Sequence, residues 1–280
     1  MQSNKVHSKD FIIEAILDKM GSMNIELSSM FHNSKSDVGI RFFYIDNLLP
    51  DEIVHEINMK FPAPEQMRLM KSIREFKRTS KSLEKFPSLI TDITFAFQDP
   101  RVIKVVENIT GIYEQVGDPN LYAGGLSLMG MGHFLGPHLD NSHNFDRSRY
   151  RALNLLYYVT PEWQLRNGGN LELWDKNLEN KITIESKFNR LVVMETTPLS
   201  WHSVSKISVS QHRKCVSNYY FSKNSPTGAE YFNVTSFSAP KTQPLMRIAL
   251  NIDGKIRGMI RRWKSIGIGR VDLYNGLKQK

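Results

Sequence analysis

Phe134-Leu135-Gly136-Pro137-His138-Leu139-Asp140 and, after a polar turn, Arg151-Ala152-Leu153-Asn154-Leu155-Leu156-Tyr157-Tyr158-Val159 decide how this chain folds. Both runs are short, rich in aliphatic and aromatic residues, and bounded by turn formers, which marks strands rather than helices. Seven further runs repeat the pattern: Leu126–Met129, Asn170–Trp174, Lys181–Ser186, Arg190–Met194, His202–Ile207, Cys215–Phe221 and Tyr231–Phe237. They recur roughly every ten residues, too close together for βαβ units. Gly136-Pro137, Asn167-Gly168-Gly169 and Asn224-Ser225-Pro226 supply breaks. The expectation for 122–240 is therefore a double-sheet jelly roll of cupin-like type, the core of a mainly β fold with helical additions (α+β).

Upstream, residues 1–121 read as a helical layer and lid within the same domain. Ser8 or Asp10 can cap a segment with Phe11, Ile12, Ala15, Ile16 and Met20 on one face, stopped by Gly21. Arg41–Asn47 reads as a short buried strand, and Leu49-Pro50-Asp51 opens a helix that Pro62 and Pro64 end. The charged stretch 65–86 reads as a solvated helix face or a loop. Downstream, 241–280 reads as a basic amphipathic helix and tail. Leu245, Ile248, Ile252, Ile256, Met259, Ile260 and Trp263 recur at three- or four-residue steps over 243–266. That spacing predicts a helix docked by its apolar stripe with basic residues in solvent. Contact with an anionic membrane surface or a polyanionic partner is the alternative.

Charge supports that division. The 280 residues carry a net +9, yet 241–280 alone hold ten Lys/Arg against Asp253 and Asp272, which leaves +1 for the other 240. A general polyanion binder would spread its cations over one face; here they sit at one end. The composition, 40% hydrophobic and 23% charged, is that of an ordered globular chain. Its apolar runs are far too short for a membrane span of about 20 residues. Met1–Asp10 lacks a signal-peptide apolar core, and Cys215 is the only cysteine. Intramolecular disulfides and thiolate-rich metal sites are excluded, and a cytoplasmic location is expected.

The chemistry concentrates at His138-Leu139-Asp140. On a strand, residues i and i+2 share a face, so this imidazole and carboxylate can converge on one ion. A second histidine would complete a 2-His-1-carboxylate set with open positions, a donor set suited to non-haem Fe(II). His133 falls on the opposite face, His143 lies in the following turn, and His212 lies in a polar turn. His202 opens a later strand, which makes it the best of the four by position.

Longer-range motifs now add to these residues. Gly132, Phe134-Leu135, Pro137-His138-Leu139-Asp140, Arg151, Leu156-Tyr157-Tyr158, Gly168-Gly169-Asn170-Leu171-Glu172-Leu173, Trp201-His202-Ser203-Val204 and Arg213 occur in that order. The stretch 128–221 thereby resembles the prolyl-4-hydroxylase-like family of 2-oxoglutarate- and Fe(II)-dependent oxygenases. The resemblance implies His138, Asp140 and His202 as metal ligands, with no catalytic residue beyond them. It implies Arg213 as the partner of the remote carboxylate of 2-oxoglutarate and Tyr158 as a donor to the same group. A guanidinium suits the task because it stays charged and binds a carboxylate with two parallel bonds. Ser217 and Tyr219 follow Arg213 on the same strand face, and Asn154 shares a face with Tyr158. Ser217 and Asn154 thus join the cosubstrate candidates. Lys214 points the other way.

The implied cofactors are Fe(II), 2-oxoglutarate and O2, with ascorbate as a candidate reductant. The implied reaction is hydroxylation of an unactivated C–H bond with release of succinate and CO2. Retention of Asp140 favours hydroxylation over halogenation, and Met129 stands where the family often has a tyrosine. Asn141 and His143 in the turn, with Trp174 and Tyr219, are the substrate-facing candidates. The lid-like N-terminal region favours a small biosynthetic intermediate or glycan-type substrate; a protein or peptide residue such as proline is the alternative. A non-catalytic cupin-like binding module, and a zinc hydrolase built on His138, Asp140 and His143, are the rivals from other classes.

Overall fold

The computed structural model describes residues 8–122 and 124–263. Capping fixes the first helix, α1 (Lys9–Ser22): the Ser8 side chain accepts a hydrogen bond from the Phe11 amide at 3.3 Å. The helix buries Ile12, Ile13, Ile16 and Met20 and leaves Phe11 exposed. After α2 (Asn24–Asn33) and α3 (Lys35–Val38), Phe42–Asp46 forms β1, as its apolar composition foretells. Then come α4 (Asp51–Lys60), the hairpin β2 (Arg68–Lys71) and β3 (Glu75–Ser80), and α5 (Ser88–Ala96). In α6 (Pro100–Thr110), Asp99 caps the start, Pro100 pre-sets the first turn, and Gly111 ends it at φ 68°.

Strands dominate from there: β4 (Gln115–Val116), β5 (Gly125–Met129), β6 (Phe134–Leu139), β7 (Tyr150–Tyr158), β8 (Leu171–Trp174) and β9 (Lys181–Ile184). They continue as β10 (Arg190–Glu195), β11 (His202–Val204), β12 (Arg213–Ser222) and β13 (Ser236–Phe237), and α7 (Pro244–Trp263) follows. Their hydrogen-bonded order is β1-β10-β7-β12-β5-β3-β6-β11-β8-β9, all antiparallel, a curled sheet that doubles back on itself. This is the expected jelly roll. Its two faces separate cleanly by strand alternation. Leu153, Leu155, Tyr157, Leu191, Val193, Val216 and Tyr220 face outward into one core with Ile12, Ile16, Ile57, Ile93 and Val106 of the helices. Tyr158, Val192, Met194 and Cys215 face inward and meet Leu171 and Leu173.

Three readings of the sequence are corrected. The stretch 65–86 is neither a helix face nor a plain loop: β2 and β3 pair within it, and β3 bridges β5 and β6. β2 is largely exposed and β3 beyond Glu75 is only half-buried, which lets the hairpin carry so many charges. The run Tyr231–Phe237 forms a strand only at Ser236–Phe237, where it pairs with β6. In α7 the apolar residues Leu245, Ile248, Ile252 and Ile256 are exposed rather than docked, whereas Leu250 is buried. Residues 264–280 of the expected tail lie outside the described residues.

β1 closes the sheet edge beside β10, and an ion pair secures it. Asp46 Oδ1 accepts from Arg190 Nε at 2.6 Å and Oδ2 from Arg190 Nη2 at 2.9 Å, with Lys187 Nζ at 3.1 Å. Burial alone would push the Asp46 carboxyl up, but these cations hold it below the usual carboxylate range. A carboxylate depressed in the folded state adds stability above its unfolded pKa and loses it as pH falls through the folded one. The Asp46→Asn variant is therefore expected to be about 1 kcal/mol less stable at neutral pH. That difference from wild type should shrink below pH ~4, where the unfolded carboxylate protonates; urea melts at both pH values check it.

Candidate active site

His138 near the end of β6 and His202 at the start of β11 are paired across the sheet, so their side chains share a face. Asp140 lies two residues beyond His138, just past the strand end. The strands thus deliver His138 and His202 side by side, with ring centroids 4.1 Å apart. Asp140 Oδ1 lies 3.7 Å from His138 Nε2 and its Oδ2 3.6 Å from His202 Nε2. One donor atom from each residue fits within a 4.8 Å cluster, a spacing that can hold a metal ion.

The donor set fits a divalent metal. His138 Nδ1 lies 3.0 Å from the Gly136 carbonyl and His202 Nδ1 lies 2.9 Å from that of Ser200. Each Nδ1 donates to its carbonyl, which leaves the Nε2 lone pairs aimed at the cluster. Burial, reinforced by neighbouring His202, pushes the His138 pKa down to about 3, so its ring is neutral at pH 7. Burial pushes the Asp140 carboxyl up, but Arg151 first, then the two imidazoles and Asn154, outweigh it and keep it ionised. A neutral His138 ring and an ionised Asp140 are protonation states that a metal needs.

Arg151 holds the acid in place. Its Nη1 lies 3.0 Å from Asp140 Oδ2 and its Nη2 donates to Asn141 Oδ1 at 2.6 Å. Its guanidinium lies over the Tyr219 ring, 4.2 Å from the centroid. Alternation along β7 would turn Arg151 away from Asn154. The pairing with β12 skips Ala152, however: Leu153 faces Tyr220 and Arg151 faces Phe221. That bulge reverses the face and brings Arg151 inside. Asn154 adds a second brace, donating through Nδ2 to Asp140 Oδ2 at 2.7 Å and accepting from Thr196 Oγ1 at 3.2 Å. One end of this amide is thus engaged by Asp140 and the other by Thr196. Outer partners of metal ligands typically matter about 10–100-fold. The Arg151→Met variant is expected to lose Fe(II) affinity within that range while keeping its fold. A metal titration with circular dichroism checks both.

On the same inner face Arg213 is buried, with no acidic partner among the described residues. Its Nε donates to Ser186 Oγ at 3.2 Å, its Nη1 reaches Met129 Sδ at 3.8 Å, and Cζ lies 4.7 Å from the Tyr158 ring centroid. Met129 thus meets the guanidinium from the position where a tyrosine was expected. The Tyr158 hydroxyl is buried beside Ser186 and Arg213; burial pushes its pKa up, partly offset by Arg213. Gly168 and Gly169 make room beside this pocket. A Cβ on Gly168 would stand 2.0 Å from the Lys206 carbonyl oxygen, and one on Gly169 3.2 Å from Arg213 Cδ, both at positive φ. A buried cation with no counter-ion among the described residues, beside a buried hydroxyl, is a setting that a dicarboxylate would complete. Ser217 lies on the same face, its Oγ 3.7 Å from Cys215 Sγ.

The substrate-facing candidates divide. Tyr219 faces inward against Arg151, and burial with nearby Asp140 raises its pKa. Asn141 is held by Arg151, and His143 pairs Nδ1 with Ser142 Oγ at 2.7 Å and packs on Tyr150 at 4.3 Å. His143 is not part of the three-residue cluster, so the zinc-hydrolase set of His138, Asp140 and His143 is not assembled. Trp174 is a correction. His202 faces Leu173 across β8, so Trp174 points to the other side, where its Nε1 donates to Ser203 Oγ at 2.8 Å.

The segment 231–237 was missed. Asn233 donates to the Asp140 carbonyl and exchanges hydrogen bonds with Ser142. Tyr231 lies 5.2 Å from the Tyr150 ring, Phe232 5.7 Å from His143, and Phe237 stacks on His138 at 5.2 Å. Three aromatic residues in that stretch, Tyr231, Phe232 and Phe237, were the available signal.

Residues 124–221 match the family model of the 2OG-Fe(II) oxygenase superfamily. The mouse (Mus musculus) protein prolyl 3-hydroxylase OGFOD1 is 29% identical over 93 residues, which are 31% of this chain and 17% of that protein. The match thus spans less than a fifth of the curated relative. Among solved structures, a prolyl 4-hydroxylase from Phytophthora capsici superimposes with a TM-score of 0.50 at 15% identity, covering 85% of this chain and 75% of that one. The α-ketoglutarate-dependent epimerase SnoN from nogalamycin biosynthesis gives a TM-score of 0.51 at 11% identity, covering 72% and 84%. At these identities the structures show a shared fold.

Proposed function

Because residues 124–221 are the core of a prolyl-4-hydroxylase-like 2-oxoglutarate- and Fe(II)-dependent dioxygenase, we propose that this protein hydroxylates an unactivated C–H bond on a saturated ring. A prolyl residue in a peptide is the first substrate class. The observation that carries the reaction is the His138–Asp140–His202 cluster sharing an inner face with the unpaired Arg213. Fe(II) and 2-oxoglutarate, when bound, supply the oxidising chemistry that turns O2 and a C–H bond into an alcohol, succinate and CO2. The chain contributes position and charge. His138, Asp140 and His202 hold the metal on one side and leave the other open. Arg213 and Tyr158 take the remote carboxylate and so orient the keto acid end. Arg151 and Asn154 keep Asp140 ionised and aimed.

The ring preference rests on the aromatic rim made by Tyr219, Tyr150, Tyr231 and His143. Flat faces pack well against the C–H edges of a saturated ring. The names of the mouse relative and the Phytophthora structure favour proline among such rings. A small biosynthetic intermediate or glycan-type substrate is the second reading, because sugar rings present similar C–H faces. Succinate release measured against proline-containing peptides and against metabolite and oligosaccharide pools separates the two. The expected result is stimulation by peptide, with a product heavier by one oxygen atom. Stimulation by the metabolite pool alone would overturn the peptide assignment, and stimulation by neither would overturn the hydroxylase reading.

A further inference from the structure

α7 sits the wrong way round for a helix that belongs only to its own fold. Leu245, Ile248, Ile252 and Ile256 recur at the spacing of a single helical stripe, and they are 82%, 56%, 52% and 46% exposed. The helix leans on the body from another flank: Leu250 is buried, and Asp253 pairs with Arg74 of the β2–β3 turn at 3.4 Å. A globular fold normally turns such a stripe inward, and an exposed apolar patch of this kind marks an interaction surface. No described helix is long and apolar enough to cross a membrane.

Charge identifies what covers the stripe. The last forty residues carry ten Lys/Arg and two Asp. A second copy of the chain would bring two such segments together and repel. A nucleic acid would neutralise the cations but leave four large aliphatic side chains in water. An anionic bilayer satisfies both, taking the stripe at the boundary of headgroups and acyl chains and the cations at its charged surface. We propose that α7 docks this protein on the surface of an anionic lipid bilayer, lying in the plane of the interface. The inference is independent of the substrate assigned above.

Flotation of the full-length protein with vesicles tests it. Binding is expected to phosphatidylcholine vesicles containing phosphatidylserine, not to phosphatidylcholine alone, and to weaken as salt is raised. Ile248→Glu with Ile252→Glu should abolish it. Arg261→Glu, Arg262→Glu and Lys264→Glu together should weaken it at least about a hundredfold. Cosubstrate turnover in solution should be unchanged in both variants; that readout also reports folding. Absence of wild-type binding, equal binding to neutral vesicles, or binding that survives the two glutamates would each overturn the proposal. Capture by single-stranded RNA that persists in the glutamate variant, with no vesicle binding, would assign the cations to a nucleic acid instead.

Discussion

The His202→Ala variant is expected to lose Fe(II)-dependent turnover by well over 100-fold. Removing even an outer partner of a metal ligand costs about 10–100-fold, and His202 supplies one of only three donor atoms in the cluster. Its Nδ1 is tied to the Ser200 carbonyl, which aims Nε2 at the cluster. The loss should come with little unfolding, because the ring packs on His138 and lies at a strand start rather than in either hydrophobic core. Anaerobic titration with Fe(II) and 2-oxoglutarate provides a direct readout. The weak visible band of the chelated cosubstrate should form in wild type and be missing in the variant. A band of equal intensity in His202→Ala would remove this residue from the metal site and the oxygenase reading with it.

Arg213→Leu should have the opposite signs on binding and stability. With 2-oxoglutarate bound, the guanidinium neutralises a carboxylate in a dry pocket, and breaking such a pair costs about 3–5 kcal/mol, or roughly two to four orders of magnitude in affinity. Without cosubstrate, the same cation is buried with no acid beside it among the described residues, a state that itself costs free energy. The apo variant is therefore expected to melt at or above the wild-type temperature, whereas the KM for 2-oxoglutarate rises steeply. Wild type alone should gain thermal stability on adding 2-oxoglutarate with a redox-inert divalent metal. Arg213→Lys retains charge but not the two-pronged geometry and should fall between the two. A variant that melts far below wild type would show that Arg213 serves the fold.

The parts of the fold and site that could be read in advance are those where local pattern and tertiary position agree. The Pro137–Asp140 run carries His138 and Asp140 at strand spacing, and Arg213 and Tyr158 sit where the alternation of β12 and β7 is regular. The reading fails where position depends on a partner. Trp174 shares a strand with inward-facing Leu173, and only the pairing of Leu173 with His202 shows which face is which. Arg151 belonged to the recognised motif series, but its hold on Asp140 depends on a bulge that no residue type announces. Asn154 lies on the anticipated face, yet Asp140 and Thr196 claim its amide. The β2–β3 hairpin escaped notice because a half-covered strand can carry many charges. Asn233 reaches Asp140 from some ninety positions away, a distance that no local window spans.

The irregularity at Ala152 also gives this strand an unusual response to changes in length. Excising that single residue would set Arg151 next to Leu153, still opposite Phe221 and still on the inner face with Asn154. The guanidinium would keep its hold on Asp140 while the kink in the strand disappears. In a regular strand the loss of one residue turns everything before it to the other side; here the same loss spares the chemistry.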